Sequence, residues 1–130
     1  MSDAEPNSAG VAEPDHDHLL RSNLERVFNE RDAARRAEAI AELYAADPVM
    51  YEPDAVIRGR DAISDVAGAL LARFGADFRF VPQGRALGHH GMASLPWRAG
   101  DAGAEPTVAG IDTAEIVDGR IARLWVLLDL

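Results

Sequence analysis

The hydrophobic rhythm of the chain changes once, at Gly75. Before it, apolar residues recur every three or four positions; after it, they alternate with polar ones. Helices gathered first and strands gathered last predict an α+β domain, in which an antiparallel (mixed) sheet bends around three helices on one side. At 130 residues, 48% of them apolar, the chain holds one modest core.

The helical half divides into three segments. Residues 18–31 place Leu20, Leu24, Val27 and Phe28 on one face, with Asp17 positioned as the cap. Residues 33–46 repeat the pattern through Ile40, Leu43 and Tyr44, and Pro48 ends it, because the residue before a proline disfavours the α conformation. A short extended piece, 49–53, and a loop lead to a third helix over 60–74, closed by Gly75. In the second half Phe78 and Phe80 flank Arg79, the "GHHG" of residues 88–91 makes a turn, and Ala93, Leu95 and Trp97 form an inward row. Residues 98–106 read as a glycine-rich loop. The last two strands, 107–117 and 121–128, are joined by Asp118-Gly119, a hairpin signal. A sheet curved around helices leaves a concavity, and such hollows are commonly apolar with a few convergent polar groups.

Composition removes several classes of function. There is no cysteine, hence no disulfide and no thiolate chemistry. The net charge is −9, all 13 basic residues are arginine, and no basic stripe forms, so a polyanion would be repelled and no nucleic acid is expected as partner. The N-terminus has neither the basic start nor the apolar run of a signal peptide, and no window approaches a membrane span; a cytoplasmic protein without membrane contact is expected. Residues 1–16, rich in Pro, Ser, Asn, Gly and acids, are expected to be a disordered acidic tail ahead of a domain over 17–130. The "DHDH" of 15–18 and His89-His90 could suit a divalent ion, but they fall at a helix start and a turn, so no metal is expected. With no nucleophile elbow and no phosphate-cradling loop, cofactor-free proton transfer remains.

Two carboxylates are placed for such chemistry. Strand alternation puts Glu52 on the face of Met50, opposite Val49 and Tyr51, and puts Asp112 on the face of Gly110, Ala114 and Ile116. An acid among such neighbours either meets solvent in an opening or is desolvated, which raises its pKa. Trp97 and Leu95 are candidates for the wall of the hollow. Trp125 shares a face with Arg123 and Leu127, which could pack on helices or a second subunit. Alternate residues Ala122, Leu124, Val126 and Leu128 offer an apolar stripe for a homodimer through the sheet.

The segments "ELYAADPVMYEP", "GRDAI", the tryptophan of the middle strand and the "GID" shortly before "DGRIARLW" resemble the ketosteroid-isomerase-like and SnoaL-like branches of the nuclear-transport-factor-2-like superfamily, over about residues 18–129. The resemblance implies a cone-shaped fold with a buried pocket for a small apolar, ring-containing or polyketide-like molecule. It implies an isomerase- or cyclase-type enzyme without a cofactor, with Glu52 as general base and Asp112 as the acid facing a developing oxyanion, or with Asp112 as the base. Leu24 and Phe28 would join Met50, Leu95 and Trp97 around the substrate. The same fold hosts epoxide hydrolases, dehydratases and non-catalytic binding modules. Leu24 stands where the ketosteroid-isomerase pattern has an oxyanion-binding tyrosine, which points to a different substrate.

Overall fold

The computed structural model describes residues 15–129, so the expected tail, up to residue 14, lies outside the described residues. The first helix, α1 (His16–Asn23), continues into a π-helical turn, Leu24–Phe28, in which Asn29 N donates to Leu24 O at 2.8 Å. α2 (Ala33–Leu43) and α3 (Arg60–Ala72) complete the helical layer. The strands are β1 (Tyr44–Glu52), β2 (Ala55–Arg58), β3 (Phe78–Pro82), β4 (Leu87–His89), β5 (Met92–Asp101), β6 (Val108–Val117) and β7 (Arg120–Asp129). They form one mixed sheet in the order β2-β1-β7-β6-β5-β3, with β4 also paired to β5. Only β1 and β7 run parallel among these pairs.

Several boundaries differ from expectation, and the loop expected before the third helix holds β2. Asp15, not Asp17, caps α1 by accepting from His18 N at 2.9 Å; Asp17 instead accepts from Ala86 N at 2.8 Å and ties the helix start to the segment before β4. The second helix stops at Leu43, three residues short of the predicted end, and β1 runs through Pro48. Proline is tolerated there because the β1–β7 register slips between Tyr44 and Val49, so no ladder hydrogen bond is demanded of it. Arg60 donates to Ala45 O at 3.0 Å and Tyr44 O at 2.8 Å across that irregularity. The segment 98–106 is partly strand, since β5 extends to Asp101.

A second slip, between Glu115 and Ile116, leaves Ala122 without a register partner and changes the phase of β7. Ile121 and Leu124 are both fully buried although three residues apart. Leu124, Val126 and Leu128 therefore belong to the concave face, and the stripe read as a dimer surface is mostly inside. The outer face carries Arg123, Trp125 and Leu127, with Tyr51 stacked on Trp125 at 5.3 Å. Two of the three two-residue hairpins among the described residues, His90-Gly91 and Asp118-Gly119, use consecutive positive-φ residues, a twist that suits antiparallel strands; the β1–β2 turn at Pro53-Asp54 does not.

Helices and sheet are joined by polar clamps as well as by the core. The Asn29 amide pairs with Phe80 in both directions, donating to its carbonyl at 2.9 Å and accepting from its N–H at 2.7 Å. It occupies the edge of β3 as a neighbouring strand would. Arg36 is buried against Ser64 and the Glu30 carbonyl, and Arg31 donates to Leu71 O at the end of α3. No helix among the described residues is long and apolar enough to cross a membrane.

Candidate active site

Between the helices and the concave face lies a cavity of about 160 Å³. Its floor is built from buried residues: Leu24 and Phe28 of the π-helical turn, Phe78 and Phe80 of β3, Trp97 of β5 and Asp112 of β6. Its mouth is ringed by partly exposed ones, Leu70 and Phe74 at the end of α3, Glu52 at the end of β1, and Val108, Val126 and Leu128. All four phenylalanines of the chain line it. That concentration was visible in the sequence, but only the fold shows that one hollow collects them.

Asp112 is 3% exposed and belongs to the inward row with Gly110, Ala114 and Ile116. Trp97 Nε1 donates to its Oδ1 at 2.9 Å, while Oδ2 has no hydrogen-bond partner among the described residues. Burial pushes its carboxyl up to about 7, opposed by the Trp97 bond and by the Asn23 amide. Asn23 is fully buried: its Oδ1 accepts from the Tyr44 hydroxyl at 2.6 Å, and its Nδ2 makes no hydrogen bond in the described structure, although it lies close enough to act on Asp112. The Tyr44 phenol is itself held well above its ordinary value, first by burial and then by the charge of Asp112. Two buried polar pairs, Tyr44 with Asn23 and Trp97 with Asp112, thus lie side by side in and beneath the floor.

Glu52 sits differently. It is half-buried at the mouth, paired in register with Ala55 across the β1–β2 hairpin, and its pKa is raised by burial and then by neighbouring Asp54. Neither Arg58 nor Arg60 bridges to it. The two acids line one cavity from different depths.

Of the other residues singled out from sequence, Leu24, Phe28 and Trp97 line the cavity. Met50 and Leu95 do not: both are fully buried in the core, where Met50 pairs with Leu124 and Leu95 with Asp112. Alternation chose the correct face for them but could not distinguish core from cavity wall. Sequence reasoning missed Leu70 in the last turn of α3, Phe74 just beyond it, and the pair Asn23 and Tyr44. Asn23 carried a signal, being a polar residue within an apolar helical stripe. Gly110 permits the floor to form, since a Cβ there would lie 2.6 Å from the Trp97 ring and 2.4 Å from Leu127 O.

A helical layer on a curved mixed sheet, with a polar group at the bottom of an apolar hollow, defines a cone-shaped nuclear-transport-factor-2-like domain. The sequence model of the SnoaL-like domain matches residues 24–124, and the chain belongs to that family. Among solved structures it is similar to a proposed isomerase of the SnoaL-like family from Agrobacterium tumefaciens, at 24% identity and a TM-score of 0.81 over 89% of this chain and 98% of that one. It is also similar to a proposed ketosteroid isomerase from Kribbella flavida, at 21% identity and a TM-score of 0.67 over 89% and 78% of the two chains. A proposed polyketide cyclase from Sinorhizobium meliloti matches at 21% identity and 0.64 over 84% and 93%. At these identities the likeness establishes the fold alone. No curated protein matches the sequence.

Proposed function

We propose that the protein is an acid/base enzyme that moves a proton between carbon atoms of a small apolar molecule, with Asp112 as the base and Glu52 as the second acid. The observation that carries this is Asp112: a carboxyl at the floor of an apolar cavity, one oxygen held by Trp97, the other without a hydrogen bond among the described residues, and a pKa pushed up to about 7 by burial. A group that titrates near neutrality can both take and return a proton, and such catalysis contributes roughly 100- to 10,000-fold. The Asp112 carboxylate would remove a proton from the carbon beside a carbonyl and return it to another carbon of the resulting enolate. Glu52, with its own pKa raised, would present a proton to the carbonyl oxygen from the mouth.

The test is exchange of the methyl protons of acetophenone for deuterium, followed by NMR. The protein should accelerate exchange, and Asp112→Asn should lower that acceleration by roughly 100-fold or more. Equal exchange by the two proteins would dispose of the proposal. One observation favours a non-catalytic binding module instead: among the described lining residues, the Trp97 N–H is already committed to Asp112, and no hydroxyl faces the cavity. Saturable binding without exchange, unchanged in Asp112→Asn, would select that reading.

A homodimer through the outer sheet face is part of the same proposal. Tyr51, Trp125, Val56, Ile111 and Leu127 give that face its apolar surface, the last three being 54%, 40% and 51% exposed. Sedimentation should show a dimer that Leu127→Glu converts to monomer; a wild-type monomer would exclude the interface.

A further inference from the structure

The cavity constrains the size and charge of its occupant. A hollow of about 160 Å³ is comparable to engineered apolar cavities of roughly 150 Å³ that hold one benzene ring. Its aromatic wall is interlocked. Phe74 stacks on Phe78 at 4.0 Å, Phe78 meets Phe80 edge-on at 5.6 Å, and Phe80 is edge-on to Phe28 at 6.0 Å and to Trp97 at 5.1 Å. Turning one ring to make room would dislodge its neighbours, so this wall resists expansion at the floor. No arginine or histidine is among the lining residues described, and both ionisable groups there are carboxyls. An anionic occupant would face like charge without a counter-ion.

From these three observations we propose that the site takes a compact, uncharged molecule of about one ring with a single polar function, and turns away fused multi-ring and anionic molecules. The inference rests on the reading of this cavity as the substrate site. The ring would fill the space between Phe28, Phe80 and Trp97, with the carbon that gives up its proton at Asp112 Oδ2, the oxygen Trp97 does not hold, and the polar atom turned toward Glu52 at the mouth. Selection by size is then set at the mouth by Leu70 and Phe74, the two lining residues that α3 and its C-terminal extension contribute.

Four probes separate the claims: acetophenone, tetralone and progesterone, which are neutral ketones of one, two and four rings, and benzoate, an anion of one-ring size. Binding is read from the indole N–H resonance of Trp97, with Trp125 on the outer face as the internal control. Acetophenone should bind at least tenfold more tightly than tetralone or benzoate, and progesterone should leave the Trp97 signal unmoved up to its solubility limit. Phe74→Ala, at the partly exposed mouth, should narrow the acetophenone-to-tetralone gap by at least tenfold; Leu70→Ala serves in its place if that variant does not fold. Progesterone or benzoate binding as tightly as acetophenone would overturn the size or charge rule while leaving the cavity as a ligand site. If no probe moves Trp97 in the wild type or in the variants, the reading of the cavity as a substrate site fails, and the size rule with it.

Discussion

The floor and the mouth of the cavity each hold one carboxyl, and the fold treats them unequally. Asp112 lies on a central strand, sealed from water, bonded on one oxygen and backed by Asn23 and Tyr44. Glu52 lies where β1 ends, half in water, with only a neighbouring acid acting on it. Both are raised by burial, but only the floor position has a network that fixes its geometry. The difference teaches that depth, not residue type, assigns roles to two like groups in one pocket.

The largest effect expected from this contrast is on stability. A carboxyl raised from 3.8 in the unfolded chain to about 7 in the folded one keeps its proton longer in the native state. Its contribution is fully present below pH 3.8, is lost as pH rises from about 4 to about 7, and is flat above that, a change of roughly 3–5 kcal/mol. Urea unfolding of wild type and Asp112→Asn at several pH values should show that slope in the difference between them. A pH-independent difference would mean that the floor does not hold Asp112 as described.

Trp97→Phe should have the next largest effect. It keeps an aromatic ring in the wall and deletes the one N–H bonded to Asp112 Oδ1, leaving a buried acceptor unpaired at about 1–3 kcal/mol. Because that bond lowers the pKa of Asp112, its loss should move the carboxyl higher, visible as an upward shift in the titration of its carbon resonance. The smallest effect should come from Glu52→Gln. At the rim, a neutral isostere should change stability by less than about 0.5 kcal/mol, as for an ordinary surface position, and leave the Asp112 titration in place. A floor titration that moved as much in Glu52→Gln as in Trp97→Phe would erase the distinction between the two depths.

The sequence carried the architecture further than it carried the site. Three helices, the switch to alternation and the Asp118-Gly119 turn follow from period and turn chemistry, which are local properties. The end of α2 was less legible. Pro48 signals a break, but the chain had already become extended at Tyr44, whose hydroxyl is drawn to Asn23 by a contact 21 residues away in sequence. The phase of β7 was hidden for a similar reason, since a bulge at Ala122 inverts which alternate residues face inward. Within the site, alternation and family resemblance together singled out Glu52, Asp112, Trp97, Leu24 and Phe28 as candidates. Alternation could not demote Met50 and Leu95, because core and cavity wall look alike from a single strand.

The strand order carries a further consequence. β7, the final strand in the described structure, lies between β1, which bears Glu52, and β6, which bears Asp112. A nascent chain that has emerged only as far as Gly119 has the β1–β2 hairpin and the β3–β6 meander but no seam between them. The two acids come to share a chamber only when that seam is sewn, so assembly of the chemistry waits until β7 itself has been made.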